Sequence, residues 1–279
     1  MNLDKLCEII ELQADIREQV IAFDREFNYY QIKVIADRLI NIDERDGARS
    51  DLENILGEDP RGIKILTIML NCGAQVYFKY KELGITDKIY TDTMKCFTRF
   101  INEYKEIHGY YGFDMDWWAV RQISLQLFRI GDLEYELAQE DNKKKIDLHI
   151  PSDAIFTNEE CDKSLDMSKE FIESIFPDYS DCEYTCYSWL LSPVLKDLLS
   201  NDSNIVNFQE RFNIISYKED SEEYYKYVYK KRVDSLDELA EDTSLQREIK
   251  KHLLAGGKVG EGYGILKQVS RHSPLVNYS

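Results

Sequence analysis

The hydrophobic period of the chain changes near Trp118, and a chain that changes period there cannot be a single helical or a single β architecture. Upstream, to about Gly112, apolar residues recur at helical steps: Leu6, Ile9, Ile10, Ile16, Val20 and Phe23, and again over Tyr30 to Ile40. Asn41 to Arg61 reads as a polar connector around one short helix, Ser50 to Leu56, with Ser50 as N-cap. Pro60 then opens a long helix over Arg61 to Leu83, and Asp87 to His108 forms another after a break at Gly84, where a left-handed C-cap calls for glycine.

Downstream the pattern alternates. Ile123, Leu125 and Leu127, a Gly131-Asp132 turn, then Leu133, Tyr135 and Leu137 predict a β-hairpin. Lys145 to Ile150 predicts a third strand, stopped by Pro151, which has no N–H to donate. Cys161 to Phe176 is an amphipathic helix with one apolar stripe, which suits packing on a sheet, so the strands on either side of it should run parallel. Glu183 to Trp189 reads as the next strand, Ser192-Pro193 as the start of a short helix to Leu199, and Asn204 to Phe212 as another helical turn or two. Asn213 to Lys218 and Tyr224 to Lys230 read as a last hairpin, and Thr243 to Leu254 as a helix with Thr243 and Gln246 at capping-box spacing. The fold class expected is α+β: a helical domain over 1–117, then a mixed β-sheet domain with flanking helices over 118–279.

Composition limits the function. With 43% apolar residues a sizeable core is within reach, and a formal net charge of -17 repels phosphate backbones and anionic lipid, so neither nucleic acid nor a membrane is the expected partner. The apolar run at Ile63 to Tyr80 is interrupted by Lys64, Asn71, Gln75 and Lys79 and does not make a membrane span. Six scattered cysteines and an unremarkable Met-Asn-Leu-Asp start point to a reducing, cytoplasmic setting. Cys182 and Cys186 have no second ligand pair beside them, so no metal site is expected.

The run Phe128-Arg129-Ile130-Gly131-Asp132-Leu133-Glu134-Tyr135-Glu136, then Leu148-His149-Ile150-Pro151, resembles a bacterial family of acyltransferase-domain proteins. Cys186-Tyr187-Ser188-Trp189-Leu190-Leu191, Phe208-Gln209-Glu210-Arg211-Phe212 and Thr243-Ser244-Leu245-Gln246-Arg247 are similar to that family's GNAT-like C-terminal domain. Tyr80, Gly84-Ile85 and Thr93-Met94 are similar to its helical N-acyltransferase N-terminal domain. The resemblance implies acyl transfer from acyl-CoA or acetyl-CoA to an amine on a small molecule or peptide. It also implies that backbone around Ile150, Ser152, Asp153 and Ala154 meets the acyl-CoA. One departure stands out: where a GNAT carries an Arg/Gln-x-x-Gly-x-Gly/Ala phosphate loop, 151–160 has no glycine, no arginine and the acidic residues Asp153, Glu159 and Glu160. A non-catalytic ligand-binding or regulatory protein on the same fold is the alternative reading.

The candidate chemistry sits at strand ends. His149 could take a proton from an amine, or be a structural histidine at a sheet end. Cys186 and Ser188 share a strand face and could pair with His149 as nucleophiles, or simply pack. The glycines at 256, 257, 260, 262 and 264 are expected to form a helix C-cap and connector, the alternating tyrosines from Tyr224 to pack across strands, and Trp117-Trp118 to anchor an interdomain hinge.

Overall fold

The computed structural model describes residues 1–230 and 232–267; the tail of the expected 118–279 domain, 268–279, lies outside the described residues. The helical half runs α1 (Leu3–Ile9), α2 (Ala14–Glu26), α3 (Lys33–Leu39), α4 (Arg45–Leu56), α5 (Ile63–Glu82), α6 (Asp87–Met94), α7 (Cys96–His108) and α8 (Asp116–Ile123). Helix α5 is apolar nearly all round and stands at the centre of the bundle, with Leu66, Met69, Leu70 and Val76 fully buried. Its end is as expected: Gly84 takes φ 75° and Ile85 N–H returns to Tyr80 O at 2.9 Å.

The sheet consists of β1 (Leu127–Ile130), β2 (Leu133–Glu140), β3 (Lys143–His149), β4 (Tyr184–Ser188), β5 (Phe212–Lys218) and β6 (Glu261–Leu266), in the spatial order β1-β2-β3-β4-β6-β5. The parallel pair is β3 and β4, as the amphipathic helix between them predicted; that helix, α9 (Asn158–Ile175), is capped by Thr157, whose Oγ1 accepts Glu160 N–H. All other neighbours are antiparallel. Helices α10 (Leu195–Leu198), α11 (Asn204–Gln209) and α12 (Ser244–Leu254) complete the C-terminal half, and α12 carries the full Thr243/Gln246 capping box.

Several expectations are corrected. Ile123 closes α8, and β1 begins only at Leu127, because Leu125 turns at φ 56° between them. Helix α4 begins at Arg45, so Ser50 is interior and its hydroxyl bonds Asp46 O one turn back. The Asp87 to His108 helix breaks at Lys95 into α6 and α7. Ser192 caps nothing; its hydroxyl reaches Val259 O.

The largest correction is at the C-terminal edge. Tyr224 to Lys230 is no strand: Tyr225–Tyr229 is π-helical, and the 224, 228, 229 spacing points Tyr224, Val228 and Tyr229 into a second core built on Ile249 and Leu253 of α12. The partner of β5 is instead β6, which takes up Gly262 and Gly264 of the run expected to be a connector, while Gly256, at φ 85°, does end α12 as expected. A Cβ on Gly262 would lie 2.3 Å from Leu191 O, so glycine is what lets the 189–191 turn cross directly over a central strand.

One main core runs through both halves. Leu6, Ile68 and Phe97 of the helices belong to one cluster with Phe128, Tyr135 and Leu148 of the sheet.

Candidate active site

On one face of the sheet β2 and β4 present side chains toward α9: Tyr135 hydroxyl meets Ser164 Oγ at 2.9 Å, and Ser168 donates to the Tyr184 hydroxyl. The opposite face turns to the helical half and carries charge. There Glu134 is paired to Arg99 of α7 at 2.8 Å, and Glu136 is shared by two partners: His149 Nε2 at 2.9 Å from Oε2, and Arg121 Nε at 3.2 Å from Oε1. The Arg121 guanidinium lies 4.4 Å over the Trp118 ring, and the Trp118 ring meets the His149 ring edge-on at 4.9 Å. Glu136, His149, Trp118 and Arg121 thus form a closed ring of contacts.

Burial pushes the Glu136 carboxyl up, but the hydrogen bond and charge of His149, with Arg121 and Arg45, outweigh it and hold the group below its ordinary 4.5. The carboxylate is therefore ionised near neutrality and can only accept, which makes Nε2 of His149 the donor of this contact; in the neutral ring Nδ1 is then left as the acceptor.

Cα pairing between β3 and β4 covers Ile146↔Tyr184 and Asp147↔Thr185. His149 and Tyr187 each stand two residues past the last pair. With alternation both therefore leave the same face where the strands part, Tyr187 being 53% exposed with its hydroxyl donated to the buried Glu261.

The same register sends Cys186 and Ser188 to the other face, with Leu148. Cys186 is 1% exposed, and burial, then the charge of Asp147, push its thiol up; Ser188 Oγ accepts Leu190 N–H at 3.1 Å. Neither is brought to His149.

Of the loop residues, Ile150 packs against both cores and Ser152 hydroxyl bonds Glu103. Ala154 N–H closes a turn on Pro151 O at 3.1 Å and is not open to a ligand. Asp153 is ion-paired with Arg129 at 2.8 Å and Arg99 at 3.5 Å; burial raises its carboxyl, and the two guanidiniums more than reverse this. The acidity of the loop thus has local causes: Asp153 answers these arginines, while Glu159 and Glu160 sit at the positive end of α9.

Sequence reasoning missed Glu136, Arg121 and Tyr187 as site residues and read Trp118 only as a hinge anchor. Glu136 could have been found as a carboxylate on the charged side of an otherwise apolar strand; nothing local signalled Arg121, whose partner comes from another element.

Residues 1–125 match the N-acyltransferase N-terminal domain, and residues 127–266, half of the chain, match the GNAT-like C-terminal domain. The chain belongs to this N-acyltransferase family. Its fold is shared with an acyltransferase solved in complex with decanoyl-CoA and teicoplanin, at 22% identity and TM-score 0.79, covering 94% of this chain and 86% of that one. It is also shared with an acyltransferase in complex with CoA and 10C-teicoplanin, at 21% identity and TM-score 0.78 with the same coverage. A mutant acyltransferase in complex with octanoyl-CoA gives 20% identity and TM-score 0.77, covering 95% and 87%. No curated protein matches the chain by sequence. Among the described residues of this N-acyltransferase family member, no helix is long and apolar enough to cross a membrane.

Proposed function

We propose that the chain transfers an acyl group from an acyl-CoA thioester to an amine of a small molecule, with His149 as the base. The observation that carries this reading is the Glu136–His149 pair at the point where β3 and β4 stop pairing. The family match supports the reaction class, and the relatives' complexes with CoA, acyl-CoAs and teicoplanin support a thioester donor and a small-molecule acceptor.

In this reaction the amine nitrogen attacks the thioester carbonyl carbon, its proton passes to Nδ1 of His149 directly or through a water, the C–S bond breaks and the CoA thiolate leaves. Backbone N–H groups of Ile150 and Ser152 are the donors for the developing oxyanion, since Pro151 has none; one well-aimed donor supplies roughly 2.7 to 4 kcal/mol. Cys186 and Ser188 take no part, so transfer is direct and forms no acyl-enzyme.

Thermal-shift titration with CoA, acetyl-CoA, octanoyl-CoA and decanoyl-CoA tests the reading. A ligand at about 100 times its Kd stabilises by roughly 2.7 kcal/mol. A shift with acyl-CoAs and none with ATP is expected; no shift with any of them overturns the proposal.

A further inference from the structure

The ring around Glu136 holds a residue with no place in the proton transfer itself. Arg121 lies in the last turn of α8, its Nη1 donating to Trp117 O at 3.0 Å and its Nε to Glu136 Oε1 at 3.2 Å. Glu136 is 9% exposed, and its other oxygen serves His149. A buried carboxylate with one hydrogen-bond partner rotates about its terminal bond and offers either oxygen; with Arg121 on Oε1 and Trp118 beneath the guanidinium, it has one orientation left.

The other charges on this face make no hydrogen bond to Glu136. Glu134, directly across from His149 in the register, is held by Arg99; Asp147 by Thr185 and Lys145; Arg45 donates Nη1 to Ser124 Oγ and acts on Glu136 through its charge, with no hydrogen bond to it. None of them replaces Arg121 at Oε1.

We infer that Arg121 is a positioning residue that fixes Glu136 so that His149 is held as the Nε2–H tautomer, leaving Nδ1 bare for the acceptor's proton. This rests on the reading of His149 as the base for its catalytic consequence, but not for its structural one. The wrong tautomer would present an N–H to the incoming amine, where an acceptor is needed.

The test reads ring protonation directly. In full-length chain carrying 15N-labelled histidine, with no acyl donor present, the His149 signals are assigned by their loss in His149→Gln, and their shifts report which nitrogen bears the proton. The wild type should show Nε2–H, and Arg121→Met a mixture of both tautomers. In the same variant turnover should fall about 10- to 100-fold with the KM for acyl-CoA unchanged, the size expected of a misaligned group. Arg121→Lys, which keeps the charge but not the fork or the stacking, should fall between. A wild-type tautomer in Arg121→Met overturns the inference whatever its turnover; if Arg121→Met does not fold, wild-type protonation together with wild-type turnover in Arg121→Lys does so. Full activity in a His149 variant would instead remove the base from the proposed reaction and leave the tautomer result standing.

Discussion

His149 is oriented on two sides, by a carboxylate at Nε2 and by an indole edge, and this is how an imidazole is kept ready to accept a proton. In the proposed reaction, replacing it by alanine would remove the proton transfer and little binding surface for the thioester. His149→Ala should therefore lower turnover roughly 100- to 10,000-fold with acyl-CoA affinity nearly unchanged, measured by steady-state kinetics and titration with one active donor. Cys186→Ala should leave the rate close to wild type, because its thiol is buried behind the sheet; near-inactivity with ping-pong kinetics would mean a covalent route instead. Glu136 also links this site to stability. Its folded pKa is depressed, so its contribution is present above the ordinary value of 4.5 and is lost as pH falls through the lower folded value. Urea melts of Glu136→Gln should show reduced stability at pH 7 and a shallower loss of stability below about pH 4 than wild type.

At the scale of elements, two short segments decide how the C-terminal half closes. The capping box of α12 satisfies N–H groups at both Thr243 and Gln246, and Gln246 further donates to Val228 O, tying the helix to the π-helical stretch. Thr243→Ala should cost about 1 kcal/mol in denaturant unfolding, since it removes the cap without touching the core. Gly262 is a harsher position: any side chain there meets Leu191 O, so Gly262→Ala must move either β6 or the 189–191 turn. That turn leads out of β4 beside Tyr187, so the variant should lose activity as well as stability. Wild-type turnover in Gly262→Ala would show that the turn adjusts without disturbing β4.

Across the whole molecule the helical half and the sheet are joined by a continuous apolar core and by buried charge, and neither half is a spectator of the other. Arg99 of α7 answers Glu134, which is 2% exposed, and also Asp153 of the loop after β3. Arg99→Met leaves that carboxylate buried without its partner and should cost roughly 3–5 kcal/mol, read as a lower midpoint in urea with both halves melting together. Separate melting of helices and sheet would contradict the shared core. The sequence by itself determined what depends on local period and local capping: a helical half followed by a strand-forming half, the β1–β2 hairpin at Gly131-Asp132, the parallel β3–α9–β4 unit, the Gly84 and Thr243 caps, and His149 at a strand end. Tertiary structure alone decided the rest. Tyrosines with a strong strand propensity became a π-helical turn because burial on α12 outweighed it, and part of a glycine run became a central strand because another backbone crosses it. Which face of the sheet Cys186 takes, and the meeting of Glu136 with Arg121 and His149, depend on register between strands and on packing between distant segments, and those are set by the folded core, not by any window of the chain.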